Sequence, residues 1–414
     1  MDAPPDHRSA ARLPALDVVR GVAVLGILAA NIVAFGQPMV AYGWPGGFLV
    51  SPGPLGDWLW GAQLVLVDGK FRGLFTLLFG TGMVLFLAGA QRRGRGHGLL
   101  AWRLGWLGLF GFLHWALLWR GDILMTYAVA GLVLLPFAGW HWTRQLALGL
   151  AGYAVGAIAS FASSVPLAAI ARGSYPPGST LAAYQAALAE AHGGAIADAR
   201  VETALIRAGD QAGMVRHALF THLRELPGDM LPTLFETVPL MLIGMAAMGM
   251  GLFEGRLPAR RQVRWGRWLW LGGTAASLPI AAWAMRRGID YWGACAALNG
   301  LLPLPQLASA LGLLCLLALW GRRARGPLAR LLGDAGRCAF SNYIGTSALA
   351  LAVFGGWGLD LFGRLGRLEL YGVMAVFWLL MLAWPAWWLR RFRHGPLEWA
   401  WRCLTYGQRV PLRR

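Results

Sequence analysis

The chain has 414 residues, of which 57% are hydrophobic and 14% charged, against roughly 25% charged in ordinary soluble domains. That balance excludes a soluble globular protein and makes lipid the solvent for most of the chain. The formal charge of +18 does not point to nucleic acid, because the arginines stand in short blocks between apolar runs rather than in a stripe interleaved with stacking aromatics.

Crossing a hydrocarbon core of about 30 Å takes roughly 20 apolar residues. Windows of that size predict helices near 16–36, 70–90, 99–119, 122–140 and 146–169, then near 232–253, 266–285, 300–320, 338–357 and 370–390. The expected fold is therefore all-α, a polytopic bundle of about ten transmembrane helices. Arginine is concentrated in the N-terminal tail, at Arg92, Arg93 and Arg95, at Arg144, in the blocks 256–267 and 322–337, and in the tail from Arg390. The alternate connections hold only Lys70, Arg72, Arg120, Arg286, Arg287, Arg364 and Arg367, so both termini are expected in the cytoplasm. The implied location is the bacterial cytoplasmic (inner) membrane. Asp17 and Arg20 lie in the first turns of the first apolar run, and no small-x-small cleavage site follows Asn31, so this helix reads as retained rather than as a signal peptide.

These elements divide into an N-terminal half (1–170), a connection (171–231) and a C-terminal half (232–414). The connection is polar and is predicted as short amphipathic helices over 181–191, 195–208 and 211–225. Ser179 or Thr180 would cap the first and Gly193-Gly194 end it. It reads as a solvated cap on the external side; the alternative is a lid or acceptor-binding element using His217 and His222. No internal repeat links the two halves.

Ionisable residues inside apolar helices are costly and are candidates for function by default. They fall into two layers. The inner layer holds Asp17 and Arg20, three residues apart on one helix face, with Arg12 before them and Arg103 near the start of the third helix. It is either a local ion pair at the interface or a basic pocket for a phosphate-bearing donor, which the Arg fork suits. The outer layer holds Asn31, then Asp68, Lys70 and Arg72, and His114 below the tight Arg120-Gly121-Asp122 turn. A carboxylate that orients an imidazole creates a general base. Asp122 could instead cap the following helix, and His114 could be a hydrogen-bonded interior histidine.

Leu78-Phe79-Gly80-Thr81-Gly82 reads as a site of close helix packing rather than a phosphate loop, since no G-K-[ST] follows. Gly395-Pro396-Leu397-Glu398-Trp399 reads as the start of an interfacial helix, with Glu398 structural. Cys295, Cys315, Cys338 and Cys403 show no C-x-x-C spacing and no nearby histidine, so neither a disulfide nor a metal site is expected.

Several motifs in order resemble the YeiB family of bacterial membrane proteins, whose C-terminal half carries a domain of unknown function of the 418 type. They are Leu16-Asp17-Val18-Val19-Arg20-Gly21 with Asn31, Lys70-Phe71-Arg72 with Leu78-Phe79-Gly80, and His114 with Gly121-Asp122-Ile123-Leu124 and Tyr127. Leu242-Ile243-Gly244-Met245, Ser341-Asn342-Tyr343 and Gly395 to Trp399 with Arg402 complete the set. The N-terminal part of that family is similar to the transmembrane acyltransferase superfamily, which includes heparan-alpha-glucosaminide N-acetyltransferase. The resemblance implies transfer of an acyl group, acetyl among the choices, from cytoplasmic acyl-coenzyme A to an external or lipid-linked sugar-type acceptor. His114 would be the base oriented by Asp122; Arg20, Arg103 and Asp17 would lie at the donor, and Asn31, Asp68, Lys70 and Arg72 at the acceptor. One departure stands out: the sugar N-acetyltransferase pattern places its catalytic histidine in the first external loop, and residues 37–69 here contain none. The alternative reading is a transporter or flippase for a small molecule or lipid-linked substrate. The expected partners are the bilayer and a small-molecule or glycan acceptor, with no nucleic acid; a homodimer is compatible with the sequence.

Overall fold

The computed structural model describes residues 13–51, 53 and 55–414, so Arg12 lies outside the described residues. The described chain is all-helical, with one isolated two-residue bridge between Phe392 and Arg413. In chain order the helices are α1 (Pro14–Gly36), α2 (Gly56–Leu66), α3 (Lys70–Gln91), α4 (His97–Leu117), α5 (Leu124–Val133), α6 (Trp142–Arg172), α7 (Thr180–Arg207) and α8 (Gln211–His217). Then follow α9 (Leu226–Gly249), α10 (Ala259–Arg286), α11 (Tyr291–Cys295), α12 (Pro303–Arg323), α13 (Pro327–Arg337), α14 (Ala339–Phe354), α15 (Arg367–Trp388) and α16 (Pro396–Tyr406).

By length and composition, 6 helical segments among the described residues can cross a membrane: α1, the run Gly56–Gln91 that joins α2 to α3, α6, α9, α12 and α15. Helices α5 and α14 are apolar but shorter. Helices α4 and α10, also expected to cross, are long enough but diluted by Trp, Gly and Arg. Outward-facing Val155, Ile158 and Phe161 on α6 and Val376, Leu379 and Leu380 on α15 form an apolar surface that lipid accepts and water penalises.

Helix α1 is the hub. Its Val19 and Ala23 pack with Leu74 and Leu77 of α3 and Ala318 of α12, while Val24, Ile27 and Ile32 join the cluster that holds Phe340 and Phe354 of α14 and Phe377 of α15. Several backbone crossings depend on glycine, two of them at α1 and α3. A Cβ on Gly336 of α13 would fall onto the Asp17 carbonyl of α1, and one on Gly244 of α9 onto the Leu77 carbonyl of α3. At the second crossing the Thr81 hydroxyl donates to the Gly244 carbonyl (2.8 Å), replacing a hydrophobic driving force that is weak between helices in lipid. The expectation of close packing at the glycine-rich stretch thus holds for Gly80, which faces Met241, while Gly82 faces open space.

Four local expectations are corrected. Gly193-Gly194 does not end a helix; neither glycine has positive φ, and α7 runs through both as one helix whose interior tolerates glycine at about 1 kcal/mol each. The third cap helix divides into α8 and a five-residue π turn, Ala218–His222. Residues 37–69 are not a loop: α2 buries Trp60 and Leu64 against Ala281 and Ala284 of α10. The basic block 322–337 contains α13, which starts on Pro327 and lies against α1. Ser179 does cap α7, accepting from the Ala182 amide at 3.2 Å.

Candidate functional site

The last turns of α4 and the start of α5 are joined by Leu118 to Ile123. Gly111 lets the two helices approach, since a Cβ there would meet the Met125 amide. His114 consequently faces Asp122 across the turn. Asp122 uses both oxygens: Oδ1 takes His114 Nδ1 at 2.8 Å and Oδ2 accepts the Met125 amide at 2.8 Å. The capping and orienting roles, alternatives at the level of sequence, are filled together. In the tautomer that donates Nδ1–H to Asp122, Nε2 is left as an acceptor.

Nε2 meets Ser347 Oγ of α14 at 2.8 Å. Asp122, His114 and Ser347 therefore form one continuous Asp-His-Ser relay, with side chains of the first two 0% and 1% exposed and Ser347 1% exposed. Tyr343, one turn before Ser347, fastens the arrangement: its hydroxyl accepts the Ile123 amide (3.2 Å) and donates to the Gly121 carbonyl (3.4 Å), and its ring lies 5.1 Å from that of His114. The first turn of α14 is held from the chain's C-terminal end. Glu398 accepts the Phe340 amide (2.8 Å) and the Ser341 amide (3.0 Å) and bonds the Ser341 hydroxyl, while Trp384 Nε1 donates to Asn342 Oδ1. Burial raises the Glu398 carboxyl above its ordinary range, with those donors pulling the other way.

Ser347 lines a cavity of about 90 Å³ together with Phe35, Gln37, Trp119, Arg120 and Glu202. Trp119 Nε1–H is buried without a partner among the described residues. The connection 171–231 is what closes this cavity, through Glu202, Leu205 and Ile206 of α7 and Met214 of α8. It is anchored by the Gln211 side chain on the Leu117 carbonyl (2.7 Å) and by the Gly356 amide on the Ile206 carbonyl (2.9 Å). Arg120 bridges the turn to the cap, 2.7 Å from Glu202 and 3.2 Å from Asp198. Burial pushes the Glu202 carboxyl up against the pull of Arg120. At Asp198 burial acts in the same direction, but Arg120, His217 and His222 outweigh it and hold that carboxyl below the usual range.

The remaining sequence-predicted residues do not join this cavity. Arg72 pairs with Glu236 of α9 at 2.7 Å, beside Tyr127, whose hydroxyl bonds Thr76 at 2.6 Å. Asp68 and Lys70 are buried in another group: Gln63 donates to Asp68 (3.0 Å), Lys70 to the Leu64 carbonyl (3.2 Å), and Arg367 and Tyr371 both donate to Gln63 Oε1. Arg367 is thus not a loop charge; it is 0% exposed, with Nε and Nη2 lacking hydrogen-bond partners among the described residues. Asn31 is half-buried on α1 and is not in the cavity lining. At the opposite end of the bundle Asp17 and Arg20 pair at 3.6 Å. Arg103 lies over the Trp401 ring (3.5 Å) and the Phe86 ring (4.8 Å), with Arg20 and Arg402 within its electrostatic range.

Ser347, Glu236, Gln63 and Arg367 carry weight that sequence reasoning missed. Glu236 was legible as a carboxylate inside an apolar run. Ser347 was not, because a serine in a helix ordinarily returns its hydroxyl to the carbonyl four residues back, as Ser347 also does weakly toward Tyr343 at 3.5 Å.

Comparison with known proteins agrees with the resemblance to the YeiB family. The profile of a protein of unknown function, DUF418, matches residues 248–408. The chain is 31% identical to the uncharacterized protein YeiB of Escherichia coli over 94% of this chain and 95% of that one. It is 28% identical to the uncharacterized protein YxaH of Bacillus subtilis over 97% and 96% of the two chains. No solved structure matches. With full-length similarity at that level, the chain belongs to the YeiB family, and its C-terminal part matches DUF418.

Proposed function

We propose that this protein is a membrane-embedded acyltransferase in which Ser347 carries the acyl group between donor and acceptor. The observation that carries the reading is the Asp122-His114-Ser347 relay at the wall of a cavity. His114 Nε2 takes the proton as Ser347 Oγ attacks the carbonyl of an acyl-coenzyme A. The C–S bond breaks, and the imidazolium gives its proton to the departing thiolate. An acceptor hydroxyl or amine then loses its proton to Nε2 and attacks the serine ester, and the proton returns to Oγ as the C–Oγ bond breaks. Asp122 keeps the imidazole in the required tautomer and stabilises its charged form. Trp119 Nε1–H is the available donor for the oxygen of the tetrahedral intermediate.

The donor enters, in this reading, from the cytoplasmic side of the inner membrane, at the end bearing Arg20, Arg103 and Arg402. Arg103 and His114 are eleven residues apart on α4, which is three turns plus about 20° and about 16 Å along the axis. One face of one helix thus runs from the basic cluster to the base, and this reading routes the pantetheine arm along it. The cap then presents the acceptor from the external side.

The test is incubation of the purified protein with radiolabelled acetyl-coenzyme A, followed by peptide mass analysis. Label is expected on Ser347, absent in Ser347→Ala, and at least a hundredfold slower to form in His114→Gln. Absence of donor binding at high micromolar concentration sinks acyl transfer. Unchanged turnover in Ser347→Ala removes the serine intermediate and leaves direct attack by an acceptor that His114 deprotonates.

A further inference from the structure

The expectation of no metal rested on the cysteines. In the cap, however, four other side chains converge. Asp198 and Glu202 lie one turn apart on α7, His217 ends α8 and His222 ends the π turn. In a regular α-helix residues five apart point about 140° away from one another. The wider π turn, closed by i→i+5 hydrogen bonds, brings His217 and His222 onto one side instead. His217 Nε2 is 2.7 Å and His222 Nε2 3.1 Å from the same atom, Asp198 Oδ1, and the two nitrogens are 3.2 Å from each other. A Glu202 carboxylate oxygen completes a group whose atoms all lie within 4.8 Å.

Each imidazole also has a partner outside the group. His222 Nδ1 meets Glu225 Oε2 at 2.6 Å, and His217 Nδ1 meets Thr221 Oγ1 at 3.3 Å. An imidazole that donates its Nδ1–H to such a partner turns an Nε2 lone pair inward. In that tautomer two Nε2 lone pairs and Asp198 Oδ1 face one point, the donor set that a bound cation requires. Arg120 neutralises the far oxygen of Asp198, Oδ2, at 3.2 Å and leaves Oδ1 aimed between the imidazoles.

We propose that Asp198, His217 and His222 bind a zinc-class divalent cation, with Glu202 or water as fourth ligand, clasping α7 to the π turn over the cavity. Ligands about 2.0–2.1 Å from tetrahedral zinc lie about 3.3 Å from one another, close to the 3.2 Å between the imidazole nitrogens. Two nitrogens with one or two carboxylates select zinc and its later first-row neighbours over magnesium or calcium. Glu225 on His222 Nδ1 is the carboxylate–histidine support that fixes ring orientation at such centres, and the Thr221 hydroxyl takes the corresponding place on His217. Exposure of 14% at His217 and 27% at Asp198 leaves a face open to solvent, through which the ion enters. The inference does not depend on the acyl-transfer reading, because its test reads metal and not turnover.

Full-length untagged protein in detergent, stripped with chelator and titrated with Zn²⁺, is expected to retain one zinc per chain through gel filtration and to melt at higher temperature. His217→Ala and His222→Ala should each lower the affinity more than tenfold, and Glu225→Gln, which removes no ligand, by roughly ten- to a hundredfold. Mg²⁺ should not substitute. X-ray absorption at the zinc edge of the loaded wild type should show two imidazole nitrogens, and this measurement decides the matter even where a variant fails to fold. A shell without imidazole, or equal zinc retention by wild type and the His217→Ala/His222→Ala double variant, overturns the proposal.

Discussion

Ser347 and His114 stand 233 residues apart in the chain, and their side chains share a 2.8 Å hydrogen bond in the protein interior. That contact joins α4 to α14 and so makes the N-terminal and C-terminal halves parts of one site. Groups that act as a unit in catalysis are strongly non-additive. The double variant His114→Gln/Ser347→Ala should therefore transfer acyl groups no more slowly than the slower single variant. Rates that multiply across the pair would show the two residues acting separately.

The Arg72–Glu236 pair predicts a stability cycle. Both side chains are partly exposed, 36% and 24%, and bonded at 2.7 Å between α3 and α9. Glu236→Leu alone strands the guanidinium and should cost about 1–3 kcal/mol, between the values for an exposed and a buried pair. Arg72→Met added to it should restore most of that loss, as read from unfolding in detergent. A double variant as unstable as the single would mean the pair matters for something other than its charge balance.

Close helix approach predicts a contrast between two glycines. In Gly244→Ala the new methyl meets the Leu77 carbonyl, and separating α9 from α3 should cost about 1–3 kcal/mol. Gly82→Ala, where a Cβ meets nothing within 4 Å, should be neutral or slightly stabilising. Thermal midpoints of the two purified variants decide it.

Glu398→Ala should loosen α14 from a distance. The substitution leaves the Phe340 and Ser341 amides without their acceptor, at about 1–3 kcal/mol for each amide that stays buried. The expected signature is lower thermal stability together with faster hydrogen exchange in the first turn of α14. Exchange raised uniformly along the chain would argue against a local cap.

A pH effect is expected from His394, between α15 and α16. Burial first, then Arg402, Arg337 and Arg393, push its imidazole down to about 4, from about 6.5 when unfolded. The folded state therefore favours the neutral ring. Its contribution is fully present above about pH 6.5 and is lost as the pH falls toward about 4, because across that window only the unfolded chain takes up the proton. The drop in melting temperature between pH 7.5 and pH 5 should be smaller in His394→Gln than in wild type, and an equal drop would assign the acid sensitivity elsewhere.

Much of this molecule is legible in its sequence, because the properties concerned are local. Apolar runs of spanning length fix where helices form, and the family motifs stand at fixed positions along the chain. His114 and Asp122 could be paired on paper because a tight turn of a few residues separates them. Other features depend on how each helix is rotated about its axis and which distant helix it meets. Packing around α1, close approach at Gly244 and Gly336, and the anchoring of α14 by Glu398 set those rotations. Only the tertiary structure therefore decided that Ser347 completes the relay and that Arg72 is matched by Glu236. It also decided that Arg367 is interior and that a π turn, in a segment expected to be plain helix, gathers His217 and His222 on Asp198. The physical reason is the same in each case: a hydrogen bond or ion pair is specified by the position of two atoms in space, and chain-distant atoms acquire that relation only when the helices pack.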